Sequence, residues 1–218
     1  MILPRAVRAV VFDMDGLLVD SEVLVREVMM HISAVHGVDL PMSVFLRMVG
    51  LPGPASRKVA VGHFGEDFDY DRWNTEVWAM THARIPELTL KPGVAELIDL
   101  LDAKAAPRAI ATSSSHVTAK LQLTATGIFG RFDTIVASGD YARGKPAPDP
   151  YLTAASRLGV DPADCLALED SHNGVRAAHA AGMMTVMVPD LLPATDEIRR
   201  LCVGVADSLH TVAQWLRD

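Results

Sequence analysis

Along most of the chain, short apolar runs that stop abruptly at polar clusters alternate with amphipathic stretches. Residues 7–12 (VRAVVF) are a β-branched apolar run and predict a buried strand. The run ends at Asp13-Met14-Asp15-Gly16, a polar turn with glycine to relax the backbone. Over residues 21–36 the period changes: Leu24, Val28, Ile32 and Val35 recur at spacings of three and four. Ser21 stands as N-cap and Gly37 closes the element, so a helix is predicted.

Residues 38–88 hold short helical runs, about 41–49, 54–63 and 69–84, broken at Gly50 and at Pro52-Gly53-Pro54. No strand-like run interrupts them, which predicts a small helical insert. From Pro92-Gly93 onward, helix and strand alternate. Helices are predicted at 93–105, 116–126, 149–158, 171–181 and 209–216, and strands at 108–111, 132–137, 165–168 and 185–188. Repetition of this kind implies an α/β domain with a parallel sheet covered on both faces. The expected division is a core of residues 1–17 and 89–218, with the helical insert at 18–88.

Composition narrows the class. Half of the 218 residues are hydrophobic and 22% are charged, enough apolar material for a real core. With 20 Lys and Arg against 27 Asp and Glu the net charge is −7, and no basic stripe appears, so a nucleic-acid partner is not expected. No uncharged run reaches the roughly 20 residues that span a bilayer, and the N-terminal apolar run is too short for a signal peptide. A cytoplasmic protein, a monomer or weak homodimer, is expected. Cys165 and Cys202 sit in apolar stretches and read as buried thiols in a reducing compartment, without metal-ligand spacing.

Position carries the candidate chemistry. Three predicted strands end in polar clusters: Asp13 and Asp15, Thr112 and Ser113, Glu169 and Asp170. Lys145 lies in the loop after a fourth strand. In an open α/β sheet ligands bind at the carboxyl ends of the strands, so all four segments can meet in one cleft. Crowded carboxylates repel unless a cation intervenes, and Mg²⁺ suits a few carboxylates with water and phosphate oxygens. Lys145 adds a compact charge for an anionic substrate, and the hydroxyls and N–H groups at Thr112-Ser113 are donors for phosphate oxygens. Together they describe phosphoryl transfer. Asp13, the first residue off its strand, is favoured as nucleophile. Asp15, one step further out, is placed to carry a proton.

These segments resemble a known family. FDMDGLLVDSE at 12–22, ATSSS at 111–115, GKPAPDP at 144–150 and LEDSHNGVRAAHAAG at 168–182 look like the four motifs of the haloacid dehalogenase superfamily, nearest its β-phosphoglucomutase-like phosphatases. The resemblance implies a Rossmann-like, doubly wound core with an inserted helical cap. It also implies roles: Asp13 as phosphorylated nucleophile and Mg²⁺ ligand, and Asp15 as general acid then base, its backbone carbonyl on the metal. Thr112 and the Ser113 N–H would hold the phosphoryl group, and Lys145 would neutralise it. Asp170 would ligate Mg²⁺, and Glu169 would ligate it or orient a metal water. Arg47, Met48, Leu51, Arg57 and Lys58 are the cap candidates for the leaving group, with Arg47 foremost for substrate binding.

The implied function is a Mg²⁺-dependent phosphatase of a small phosphorylated metabolite such as a sugar phosphate. A phosphomutase is the alternative, although Val25 stands where the mutases carry a hinge His, and Gly53 where they present an Arg. A haloacid dehalogenase lacks the second Asp of Asp13-x-Asp15. A non-catalytic regulatory protein, the remaining alternative, would be expected to have lost a catalytic residue. Bland roles are open too: helix caps for Asp20, Ser114 and Ser115, helix packing for Asn173 and Gly174, and core filling for Met29, Met30, Met183, Met184 and Met187.

Overall fold

The computed structural model describes residues 3–51 and 53–217. The chain divides into two compact units, Met1–Asp20 with Thr89–Asp218, and Ser21–Leu88. The first unit opens with β1 (Ala9–Phe12). The second holds α1 (Ser21–Val35), α2 (Met42–Met48), α3 (Gly53–Phe64) and α4 (Tyr70–Ala83). The first unit then resumes with α5 (Val94–Ala103), β2 (Arg108–Ser115), α6 (His116–Ala125) and β3 (Thr134–Ser138). After these come α7 (Asp149–Leu158), β4 (Cys165–Glu169), α8 (His172–Ala180) and β5 (Met184–Met187). The chain closes with α9 (Asp196–Leu201), β6 (Gly204–Val205) and α10 (Leu209–Trp215). None of these helices is long and apolar enough to cross a membrane.

All six strands run parallel, in the order β3-β2-β1-β4-β5-β6. The sheet is therefore doubly wound, with its switch point between β1 and β4. Successive side chains of β1 take opposite faces, as the two-residue period of a strand requires. Val10 and Phe12 join Val94, Leu97, Ile98 and Leu101 of α5. Ala9 and Val11 join Tyr151, Ala154 and Ala155 of α7 and Ala177 and Ala178 of α8. Both faces are buried, which is why the strands read as continuous apolar runs and not as alternation.

The second unit is helical throughout its assigned elements. Trp73 is its largest buried side chain, in edge and tilted contact with Phe64, Phe68 and Tyr70, and its indole N–H donates to Ser33 Oγ at 3.0 Å. That hydrogen bond satisfies the polar end of a ring whose apolar body is fully covered.

Several expectations need correction. The division falls after Asp20 and not after residue 17, because Leu17, Leu18 and Val19 are buried in the sheet core. Moreover, Asp20 N–H donates to Thr89 O and Lys91 N–H to Leu18 O. Asp20, a helix-cap candidate by sequence, accepts from Lys91 through its carboxylate. Gly53 and Pro54 open α3, where a first-turn proline forfeits no hydrogen bond, and Pro52 lies outside the described residues. Val35 and Met30 are exposed on α1, and Cys202 is only half-buried. β2 continues to Ser115, its pairing with β3 shifting between Ala111 and Ser115. The elements α9 and β6 are absent from the sequence expectations: six and two residues are too short for a period to register.

Gly93 shows how tightly the first unit closes. It caps α5 with φ +88°, and a Cβ there would run into the backbone of Leu209 and His210 at the start of α10. Neither contact can yield as a flexible side chain could. Gly93→Ala is expected to destabilise the protein by about 3 kcal/mol, combining left-handed strain with overpacking. A urea unfolding midpoint equal to the wild type's would refute this.

Candidate active site

Asp13 leaves β1 in register with its neighbour, since its N–H donates to Leu168 O of β4 at 2.9 Å. Its carboxylate and that of Glu169 are thus delivered side by side from adjacent strands at the switch point. Lys145 joins them: its Nζ lies 2.5 Å from Asp13 Oδ1 and 2.5 Å from Glu169 Oε1. The lysine side chain is 7% exposed and Glu169 is fully buried.

Glu169 is the most completely held group of the site. Oε1 also accepts from the Tyr151 hydroxyl at 2.7 Å. Oε2 accepts from the N–H groups of Asp170 and Ser171 and from Ser171 Oγ. These donors lie at the start of α8, where backbone N–H groups lack helical partners and favour an anion. Ser171 caps that helix, its hydroxyl accepting from Gly174 N–H. Gly174 has a steric reason as well: a Cβ there would overlap the Glu169 carboxylate itself.

The charges do not balance. Burial first, then the repulsion of Glu169 and Asp15, pushes the Asp13 carboxyl up to about 8 against the pull of Lys145. Burial works against the Lys145 charge, but Asp13 and Glu169 outweigh it and raise its pKa, so the lysine stays protonated. Tyr151 is raised well above the ordinary phenol value by burial and then by Glu169, and remains a donor. One ammonium faces more carboxylates than it can neutralise.

The remaining predicted residues fall as follows. Thr112 is buried at the end of the regular part of β2, with its Oγ1 accepting from Ser114 N–H and its carbonyl accepting from the Tyr141 hydroxyl. Ser113 is exposed between them. Ser115 caps α6, but Ser114 does not share that role: its hydroxyl donates to Asp15 Oδ2 at 2.8 Å. Asp15 is half-buried and Asp170 buried. Arg47 is exposed in the last turn of α2, in the other unit. Tyr151, Tyr141 and Ser114 escape a reading of the sequence alone. Tyr151 occupies a core-facing position of α7, and nothing local separates a tyrosine that packs from one that also holds Glu169.

One oxygen each from Asp13, Glu169 and Asp170 lie within 4.8 Å of one another, the one such acidic group among the described residues. Three hard oxygen donors with excess negative charge fit a divalent cation of the Mg²⁺ type. Gly16 leaves room beside them: at φ +81° it lacks the Cβ that would stand 2.5 Å from Asp170 Oδ2.

A doubly wound parallel sheet with this acidic cluster at the carboxyl ends of β1 and β4 has the architecture of an α/β enzyme, the class in which ligands bind at that edge of the sheet. The chain belongs to the haloacid dehalogenase-like hydrolase family, which it matches over residues 10–188. It is 36% identical over 192 residues to the "Probable pseudouridine-5'-phosphatase" of Drosophila melanogaster, covering 85% of this chain and 83% of that protein. It is 35% identical over 201 residues to hexitol phosphatase B of Escherichia coli (strain K12), covering 87% and 86%. A crystal structure of the β-phosphoglucomutase of Clostridium difficile superposes with TM-score 0.78 over 94% of this chain and 93% of that one. At 23% identity, that likeness is of fold alone.

Lys145→Met leaves Asp13 and Glu169 buried without their cation. Such removal of one partner costs about 3–5 kcal/mol, and this loss is expected in metal-free urea unfolding. Added Mg²⁺ should restore part of it. A variant as stable as the wild type without metal would contradict the reading of Lys145 as the charge that holds the site together.

Proposed function

We propose that this phosphatase hydrolyses a small phosphorylated metabolite, a sugar phosphate, with Mg²⁺ as its cation and Asp13 as its nucleophile. The observation that carries the reading is the cluster of Asp13, Glu169 and Asp170 with Lys145 shared between Asp13 and Glu169, and a second carboxylate, Asp15, two residues from Asp13 in a different environment. Two relatives that share about a third of this sequence are named as phosphatases, one of pseudouridine 5'-phosphate and one a hexitol phosphatase.

Asp13 attacks phosphorus in line, and the bond from phosphorus to the ester oxygen breaks. Asp15 gives its proton to the departing oxygen. Asp15, now a carboxylate, takes a proton from water as that water attacks the aspartyl phosphate. The Asp13–phosphorus bond then breaks, releasing inorganic phosphate and restoring both aspartates. Lys145 balances charge on Asp13 and the phosphoryl oxygens, with Thr112 Oγ1 and the Ser113 N–H as further donors. Mg²⁺, held by Asp13, Asp170, the Asp15 carbonyl and Glu169 directly or through water, supplies charge neutralisation and a template for the phosphoryl group. Tyr151 and Ser171 keep Glu169 in position. Arg47 is the proposed contact for the part of the substrate beyond the phosphate.

The two aspartates suit a division of labour, because their surroundings differ as paired catalytic carboxyls require. Asp13 is buried against a lysine, whereas Asp15 is half-buried against a serine hydroxyl. Val25 and Gly53, in place of the mutases' His and Arg, support water over a sugar hydroxyl as the final acceptor.

Asp13→Asn preserves size and polarity and is expected to lower phosphate release by about 10³-fold or more without unfolding the protein. Asp15→Asn should slow breakdown of the aspartyl phosphate. A panel of phosphorylated metabolites with Mg²⁺, read as free phosphate, tests the assignment. Efficient conversion of β-glucose 1-phosphate to the 6-phosphate with little free phosphate would instead establish the mutase.

The cation should also compete with a proton. Because the metal-free Asp13 carboxyl holds its proton up to about pH 8, Mg²⁺ must displace it below that value. Affinity is expected to rise by about tenfold per pH unit between pH 6 and 8 and then to level off. Calorimetric titrations in buffers of different ionisation enthalpy read both the affinity and the proton released; a flat profile without proton release counts against Mg²⁺ on Asp13.

A further inference from the structure

Beyond β5 the chain turns past the site at Asp190. Its Oδ1 accepts from Lys91 Nζ at 2.7 Å, and the same ammonium reaches Asp20 Oδ1 at 3.2 Å. Two carboxylates therefore fix one lysine, and the lysine fixes the orientation of Asp190. The other oxygen, Oδ2, is buried and has no hydrogen-bond partner among the described residues. Leaving such an oxygen dry carries the full penalty of its desolvation, so a donor is expected there.

Gly16 shows where that oxygen points. A Cβ on Gly16 would stand 2.5 Å from Asp170 Oδ2 and 3.4 Å from Asp190 Oδ2. The two oxygens flank the same bare glycine, whose missing side chain leaves the space between them open. Asp190 is not one of the carboxylates whose oxygens gather within 4.8 Å of one another, so it stands outside direct ligand range. Mg²⁺ keeps several of its waters when a protein binds it, and every such water needs acceptors for its protons.

We propose that Asp190 is a positioning residue of the cation site, its Oδ2 accepting a hydrogen bond from a water on the Mg²⁺ held by Asp170. It acts through that water and not as a ligand. Lys91 and Asp20 hold the acceptor in place. This rests on the Mg²⁺ reading above and extends it to a part of the chain that none of the four sequence motifs includes.

Asp190→Asn tests the proposal, because an amide oxygen can still accept from Lys91 while the group facing Gly16 becomes a donor. Removing an outer-shell partner typically weakens metal binding by 10–100-fold, so calorimetric Mg²⁺ affinity should fall by about tenfold or more. At saturating Mg²⁺ the variant should recover the wild-type kcat. Asp20→Asn removes an equal charge from the same lysine without touching the orphan oxygen, and should bind Mg²⁺ within about threefold of wild type. Equal affinity for Asp190→Asn and wild type, or equal losses in both variants, overturns the proposal. Should Asp190→Asn fail to fold, a wild-type crystal structure with Mg²⁺ decides: a metal-bound water within about 3.2 Å of Asp190 Oδ2 is required. If the wild type itself binds no Mg²⁺, the cation reading has failed, a result distinct from a wild type that binds and a variant that binds equally.

Discussion

Everything at this site depends on one buried ammonium shared between two carboxylates from neighbouring strands. Lys145 meets Asp13 at the end of β1 and Glu169 at the end of β4. A buried ion pair is weak evidence for stability, since desolvating the charges consumes most of what their attraction returns. Its worth here is geometric. The ammonium holds the Asp13 carboxylate in one orientation, and the acidic cluster it leaves over-supplied with negative charge is of a kind that fits a divalent cation. The parallel pairing of β1 with β4 is what allows one lysine to reach both acids.

The surroundings of Glu169 are built outward from that contact. Tyr151 from α7 and Ser171 at the cap of α8 hold its two oxygens, and Gly174 makes the space they occupy. Alanine is ordinarily the better helix residue by about 1 kcal/mol. At position 174, collision with a fixed and buried carboxylate outweighs that gain. A glycine inside a helix, which lowers intrinsic helicity, thereby serves the adjacent strand's acid.

The pair of aspartates follows from local geometry, and tertiary contacts give the two their different surroundings. As sequence, Asp13 and Asp15 differ only in their distance from the end of β1. Burial lifts the Asp13 carboxyl against the pull of Lys145, while Ser114, expected to do no more than help cap α6, turns its hydroxyl to Asp15 instead. The shift in β2–β3 pairing between Ala111 and Ser115 accompanies this freedom, because residues outside the regular ladder can turn their side chains toward the loop after β1.

The alternation of apolar runs with amphipathic stretches already determined the α/β class, the helical insert, and the succession of β1 to β5 along the chain. It did so because a strand buried on both faces and a helix with one apolar stripe have different periods, and both are local properties. The polar residues that end those runs were legible for the same reason: Asp13, Asp15, Thr112, Lys145, Glu169 and Asp170 each sit where an apolar run or its loop gives way. Only the tertiary structure decided which partners hold them. Tyr151 and Ser114 contribute through contacts across many residues of chain, and a core tyrosine or a cap serine has the same local signature whatever it touches. Strand order belongs to this second kind of information, since β1 borders β4 only when the sheet is assembled. That adjacency, which no local period encodes, is what brings Asp13, Glu169 and Lys145 within reach of one another.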